Sequence, residues 1–392
     1  MGDLSIALPA GGRVSAIMLS ARRRCFGLAA FTLLALPLAV GLVAPDHSVS
    51  ALKKEGRLPA AAPGMPASAE DWLTLPTKLD IFLKDHFGLR EAMIRLERNL
   101  TAPLAGSNSV LVGRDGRMFL LLQDTVKQSA GVVLRDERVG ETANLLARIR
   151  DALALRGVRF LVASPPNAST IYQEDLPLWA QSDGRRTEYD LFLADLGGRG
   201  VKAVDLRPAL IRLKTKAPAY FTHDTHWTAR GGIAGFNAIV EAAGHPDWRI
   251  DDPATALGRP TTRRGGDLAR LMGVADRVSE PEEPLALPAG NKEELALSPK
   301  DKKDPSAASF AAYVETSDRP GPTIMIIGDS FTQFYFAPML MPHAAKVVWL
   351  YHDFCAFDWA RIDEFRPDEV WWLPTERSLV CAPGARPAGF SG

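Results

Sequence analysis

The sequence predicts an α/β domain, a parallel sheet flanked by helices, carried behind an N-terminal transmembrane anchor. Three observations carry that reading. Short, wholly apolar runs recur with amphipathic segments between them, the pattern of parallel strands covered on both faces. One such run, Thr323 to Ile327, stops at Gly328-Asp329-Ser330. Near the start, Arg22-Arg23-Arg24 precedes a stretch without charge, Cys25 to Ala44.

That stretch is long enough to span a bilayer core as a helix, which takes about 20 apolar residues. A signal peptide has a shorter apolar region ending in a small-x-small cleavage site. Here the run continues to Val43-Ala44-Pro45 without one. The arginines set the orientation: 1–24 cytoplasmic, 25–44 a single-pass signal anchor, the bulk of the chain exported to the periplasm. A cleaved signal peptide and a buried soluble helix are the alternatives, and Met18 is a candidate start. Residues 45–70 read as a linker, rich in Ala, Pro and Gly to Pro66.

The domain is expected over 71–392. Leu79 to Leu100 has helical periodicity. Val110 to Leu120 reads as a hairpin around Asp115-Gly116. Asp136 to Arg156 is an amphipathic helix ending at Gly157. Strand and helix then alternate. Val158 to Ala163 is a strand, Thr187 to Leu196 a helix, Val201 to Leu206 a strand. Thr228 to Ala243 is a helix with Thr228 as its N-cap. The last strands are Thr323 to Ile327, Val347 to Tyr351 and Val370 to Leu373. The stretch 279–306, dense in Glu, Lys and Pro, reads as a mobile surface insertion.

Composition excludes some functions. Lys and Arg number 46 and Asp and Glu number 46, a net charge of zero. A nucleic-acid partner is therefore not expected, since it calls for a basic domain or stripe. Of three cysteines, Cys25 falls in the anchor. Cys355 and Cys381 either pair in an oxidising compartment or stay as separate buried thiols.

The chemistry concentrates in two motifs. Ser330 follows a buried strand and opens a helix, at the strand ends where open α/β sheets bind ligands. Backbone N–H groups there suit a developing oxyanion. The bland alternative is an N-cap serine. Earlier sits Asp224-Thr225-His226-Trp227. Two residues apart on an extended segment, Asp224 and His226 share a face, so the carboxylate can orient the imidazole as general base for Ser330. Trp227 is placed to keep water out. The alternatives are a solvated turn, and His223 as the working base. A metal on His223, Asp224 and His226 is not expected, because no further ligand cluster completes a site. No cofactor is expected. Asn167, Arg264 and Gly266 are candidate oxyanion or substrate-binding groups, the last two within Arg263-Arg264-Gly265-Gly266-Asp267-Leu268. Asp329 is read as structural, tying its turn through backbone N–H groups.

With these motifs placed, the chain resembles the alginate O-acetyltransferase family (AlgJ/AlgX-like, the DHHW branch of the SGNH superfamily). The resemblance runs from Asp85-His86-Phe87-Gly88 through Gly113-Arg114-Asp115-Gly116 and Pro165-Pro166-Asn167. It continues through Asp224-Thr225-His226-Trp227 and Gly266-Asp267-Leu268 to Gly328-Asp329-Ser330-Phe331 and Glu376-Arg377-Ser378-Leu379. The Asp/His pair lies before the serine, unlike lipase-like relatives of the superfamily. The resemblance implies an SGNH-like sheet and a catalytic triad at Asp224, His226 and Ser330. It implies acetyl transfer to hydroxyls of an exported polysaccharide, with a membrane-bound O-acyltransferase as acetyl supplier. The chain departs from the pattern at Asn167, where a basic residue is common. An esterase with the same triad, or a non-catalytic member of a polysaccharide export complex, are the rival readings.

Overall fold

The computed structural model describes residues 62–85, 109–295, 311–352, 355 and 357–381. These fall in two compact units, 62–85 in the first and the rest in the second. The first holds α1 (Ala69–Asp85). Ser68 Oγ accepts from the Asp71 N–H at 3.2 Å, and the Asp71 carboxylate accepts from the Ser68 N–H at 3.1 Å. That reciprocal box satisfies two orphan donors and starts the helix. Although 71–392 was expected as one domain, α1 belongs to the first unit. The anchor expected at 25–44 lies outside the described residues, as does most of the helix expected over 79–100. Among the described residues no helix is long and apolar enough to cross a membrane.

The second unit begins with a hairpin of β1 (Val110–Val112) and β2 (Met118–Leu120), paired antiparallel. Its turn places Asp115 at φ 53° and Gly116 at φ 77°, left-handed values that Asp-Gly tolerates. Next come α2 (Thr125–Ser129), α3 (Asp136–Ala154), β3 (Arg159–Ala163) and α4 (Ala168–Ile171). Then follow α5 (Glu188–Gly198), β4 (Ala203–Val204), α6 (Arg207–Lys214) and α7 (Ala229–Ala243). Thr187 and Asp190 form a capping box on α5. Thr228 Oγ1 caps α7 by accepting from the Gly231 N–H at 3.1 Å, as its position predicts.

The remaining elements are β5 (Thr261–Arg264), α8 (Asp267–Leu271), β6 (Ser279–Glu282), β7 (Asn291–Glu294), β8 (Tyr313–Thr316) and β9 (Thr323–Gly328). After them lie α9 (Ser330–Gln333), α10 (Phe336–Leu340), β10 (Lys346–Tyr351), α11 (Trp359–Phe365) and β11 (Glu369–Leu373).

Seven strands form the main sheet in the order β4-β3-β11-β9-β10-β8-β7. From β4 to β10 every pairing is parallel, but β8 pairs antiparallel with β10 and β7 antiparallel with β8. The sheet is therefore mixed rather than wholly parallel. The stretch expected as an insertion, 279–306, supplies part of this edge. Its described residues include β6, paired with β5 away from the main sheet, and β7 at the sheet's end. Residues 296–310 lie outside the described set.

The unbroken apolar runs have a simple cause. In β9, Ile324 and Ile326 pack into one core with Trp349, Trp371, Phe236 of α7 and Phe336 of α10. Met325 and Ile327, on the opposite face, pack into a second core with Val348, Trp372, Leu146 and Ile149 of α3, and Phe192 of α5. Alternate side chains face opposite sides, so a strand covered twice needs apolar residues throughout. Truncating one of the large side chains of either core to Ala costs about 3–5 kcal/mol. Cys355 and Cys381 form a disulfide in the second core.

Candidate active site

Ser330 stands where β9 ends and α9 begins, at the carboxyl edge of the parallel strands. Gly328 leaves room for the turn: a Cβ there would lie 2.3 Å from Thr332 Oγ1. Asp329 pins it. One carboxylate oxygen accepts from the Phe331 N–H at 3.1 Å. The other accepts from the Thr375 N–H at 2.9 Å and the Thr375 hydroxyl at 2.7 Å, just past β11. The serine turn is thus held to the neighbouring strand, the structural role expected of Asp329.

The imidazole reaches it from the segment before α7. Tyr220 and Trp227 form a β-bridge, and the Phe221 N–H donates to the His226 carbonyl at 3.2 Å. Trp227 is fully buried. Its Nε1–H donates to the Phe331 carbonyl at 3.0 Å, tying the His226 segment to the serine turn. Its ring stacks on Phe336 at 6.1 Å. Two glycines of α7 make the seat. A Cβ on Gly231 would meet the Ala219 carbonyl at 2.1 Å, and one on Gly235 would meet the Trp227 ring at 3.0 Å.

The result is a line of three groups. Ser330 Oγ lies 2.7 Å from His226 Nε2, and His226 Nδ1 lies 2.6 Å from Asp224 Oδ1. The serine is 8% exposed and Asp224 1%. So buried a carboxylate needs compensation. Asp224 Oδ1 also accepts from the His226 N–H at 3.0 Å. Oδ2 accepts from Arg263 Nη2 at 2.7 Å and the Asp267 N–H at 2.9 Å. Burial pushes the Asp224 carboxyl upward, but the charges of His226 and Arg263 with these hydrogen bonds overcome it and hold it well below the usual carboxylate range. Burial disfavours a charged imidazole, yet Asp224 outweighs it and raises His226 above its ordinary value.

The other expected residues are placed differently. His223 sits beside Glu280, Nδ1 to Oε1 3.4 Å, and not on the serine. Arg264 is exposed on β5, while Arg263, one residue earlier and so on the other face, holds Asp224. Gly266 packs behind the site, where a Cβ would meet the His223 carbonyl at 2.1 Å. It serves as a close-approach position. Asn167 is buried, its N–H donating to Glu376 Oε2 at 2.7 Å. Its Nδ2 has no protein partner, and it lines a narrow crevice with Thr225, Leu268 and Arg377.

Three further residues fall within motifs that carry the resemblance but have no role assigned from sequence. Arg377 holds its guanidinium carbon 5.2 Å from the Phe331 ring centre, and His226 lies 4.9 Å from that ring. Glu376 is fully buried, and burial pushes its carboxyl up to about 7. Asp267 is the third. Ligand atoms of Asp224, His226 and Asp267 gather within 4.8 Å of one another, and N–H and O–H donors already fill those carboxylates.

A mixed sheet flanked by helices, with a serine, an imidazole and a carboxylate in line at its carboxyl edge, defines an SGNH-like α/β domain. Residues 110–369 match the family model for the SGNH hydrolase-like domain, acetyltransferase AlgX. The chain belongs to that family. Over 143 residues it is 26% identical to the probable alginate O-acetylase AlgJ of Pseudomonas syringae pv. tomato. That match spans 35% of this chain and 35% of the relative. Among solved structures, the fold is similar to a DHHW family protein from Eubacterium siraeum, with TM-score 0.52 and 13% identity over 71% of this chain and 94% of that one. The O-acetyltransferase domain of Pseudomonas putida AlgJ aligns with TM-score 0.44 and 17% identity, covering 69% and 92%.

Proposed function

We propose that this protein transfers acetyl groups to hydroxyls of an exported polysaccharide through an acetyl-Ser330 intermediate. The observation carrying this is the 2.7 Å approach of His226 Nε2 to Ser330 Oγ, with Nδ1 held on Asp224. Ser330 Oγ attacks the acetyl carbonyl as its proton passes to Nε2, and the donor's leaving oxygen departs with that proton. A sugar hydroxyl then attacks the acetyl-serine, giving its own proton to Nε2, which passes it to Ser330 Oγ as the bond from that oxygen to the acetyl carbon breaks. Asp224 holds the ring and balances its charge. The Ser330 N–H and Asn167 Nδ2 are the donors for the tetrahedral oxyanion.

The AlgJ relative and the acetyltransferase description of the family support acetyl as the group and a polysaccharide as the acceptor. The Cys355–Cys381 disulfide supports an oxidising compartment. The reading therefore keeps the 25–44 anchor in the inner membrane, the domain in the periplasm, and a membrane-bound O-acyltransferase as acetyl supplier.

Incubation with an activated acetyl ester should leave an acetyl adduct on Ser330, detectable by peptide mass spectrometry. Ser330→Ala should abolish it, and His226→Ala should slow it about 10²- to 10⁴-fold without unfolding the protein. Adding oligosaccharide acceptors should divert acetyl from free acetate to sugar. Release to water alone would replace the transferase with an esterase, and no adduct on wild type would end the acyl-serine reading.

A further inference from the structure

Asp267 is not needed for the three-group line, yet it touches every part of the segment that builds it. Oδ1 accepts from the Thr225 N–H at 2.7 Å and the Leu268 N–H at 2.7 Å. Oδ2 accepts from the Thr225 hydroxyl and lies 3.7 Å from His226 Nδ1. Its own N–H donates to Asp224 Oδ2. One residue thus grips Thr225, between the aspartate and the histidine, and the aspartate itself.

A clamp made only of hydrogen bonds could be built from an asparagine. A carboxylate here sets a second negative charge against the imidazole, beside Asp224, with one guanidinium, Arg263, to offset the pair. We propose that Asp267 is a positioning residue for the acyl-transfer reaction. Its hydrogen bonds fix Thr225 so that Nδ1 stays on Asp224, and its charge holds the proton that His226 receives during each half-reaction.

The groups facing His226 from each packed element can be named. Asp224 lies on its own segment, Asp267 on α8, Arg263 on β5 through Asp224, and Arg377 on the turn after β11. Ser330 and Phe331 of α9 are uncharged. Tyr335, next to α10, feels the Asp224 and Arg263 charges and stays protonated because burial drives its phenol far up. The two carboxylates raise the proton affinity of His226 and Arg377 opposes them. Burial and the Asp224 charge push Asp267 itself up to about 6. Asp267 Oδ2 lies 3.7 Å from His226 Nδ1, so each group feels the other's charge: the imidazole, raised above its ordinary value, takes its proton while Asp267 is ionised, and a further proton neutralises Asp267.

The consequence has a definite sign. His226 must be neutral to accept the serine proton, so a raised imidazole places the acid limb of the rate profile at higher pH. Removing the Asp267 charge lowers that proton affinity and moves the limb down. Asp267→Asn keeps an oxygen to accept from Thr225 and Leu268 while removing the charge.

This rests on His226 acting as the base, and the closing measurement separates the two. In histidine-labelled Ser330→Ala protein, which needs no activity, the His226 ring signal should follow two ionisations by NMR. With Asp267→Asn added, it should follow one, about one unit lower. The pH profile of acetyl-Ser330 formation in the single variant Asp267→Asn should move the same way, its plateau falling less than tenfold. A His226 titration that is single in the first protein, or unmoved by Asp267→Asn, overturns the assignment. If the variant fails to fold, the two-step titration of the first protein still decides. Absence of the acetyl adduct in wild type would instead strike the function and leave the ring titration standing.

Discussion

Asp224 accepts four hydrogen bonds from three other residues, which is how a carboxylate 1% exposed stays ionised. Arg263 is the partner whose loss is most informative. Arg263→Ala leaves a buried carboxylate short of its one guanidinium, costing about 2–3 kcal/mol of stability, below the full value for a buried pair because Arg263 is partly exposed. It also leaves the Asp224 charge less neutralised, so His226 holds its proton more tightly. The acid limb of acetyl-Ser330 formation should therefore shift to higher pH, opposite to Asp267→Asn. A limb that moves down, or not at all, would show that Arg263 acts only on stability. At this scale the sequence was legible where chemistry forces residue type and spacing, as in Asp224-Thr225-His226 and Gly328-Asp329-Ser330. It was ambiguous between Arg263 and Arg264, because the facing side of β5 depends on a strand whose residues, Thr-Thr-Arg-Arg, carry no apolar alternation.

Trp227 belongs to a larger unit, the join between the His226 segment and the serine turn across 104 residues of chain. The sequence suggested a ring that excludes water. The structure adds a hydrogen bond to the Phe331 carbonyl and a seat cut by Gly231 and Gly235. Trp227→Phe keeps most of the packing and deletes the donor, stranding a buried carbonyl at a cost of about 1–3 kcal/mol. Thermal unfolding should register that loss. Acetyl-Ser330 formation should slow as well, because the Nε2–Oγ approach depends on the same join. Wild-type values for both would mean the two segments are held by other contacts. Three helices were readable to within two residues at each end: α3 from its amphipathic face, α5 from its Thr187 cap, and α7 from both its Thr228 cap and its face. β7, Asn-Lys-Glu-Glu, was not, because an exposed edge strand has no buried face to impose a pattern.

Across the molecule, five parallel strands were legible because each is covered on both faces, but their order was not. Nothing local says that β11, the last strand among the described residues, inserts between β3 and β9. That insertion brings Thr375 to Asp329, and Arg377 beside Phe331, so the places of these two residues follow from a topology the sequence does not state. The chain beyond β11 is then secured from the far side of the sheet. The Cys381 N–H donates to Thr142 Oγ1 of α3 at 3.1 Å, and Cys381 is bonded to Cys355. Closing a 26-residue separation restricts the unfolded chain, an effect typically worth about 2–4 kcal/mol. Replacing both cysteines by serine should lower the unfolding midpoint by several degrees. The rate of acetyl-Ser330 formation should be kept well below that midpoint, because the bridge lies in the second core while Trp227 and Phe331 lie in the first. Reductant should lower the wild-type midpoint and leave the double variant unmoved. An unchanged wild-type midpoint under reductant would mean the bridge adds nothing to stability, while a double variant that loses acetylation at low temperature would mean that the two cores do not act separately.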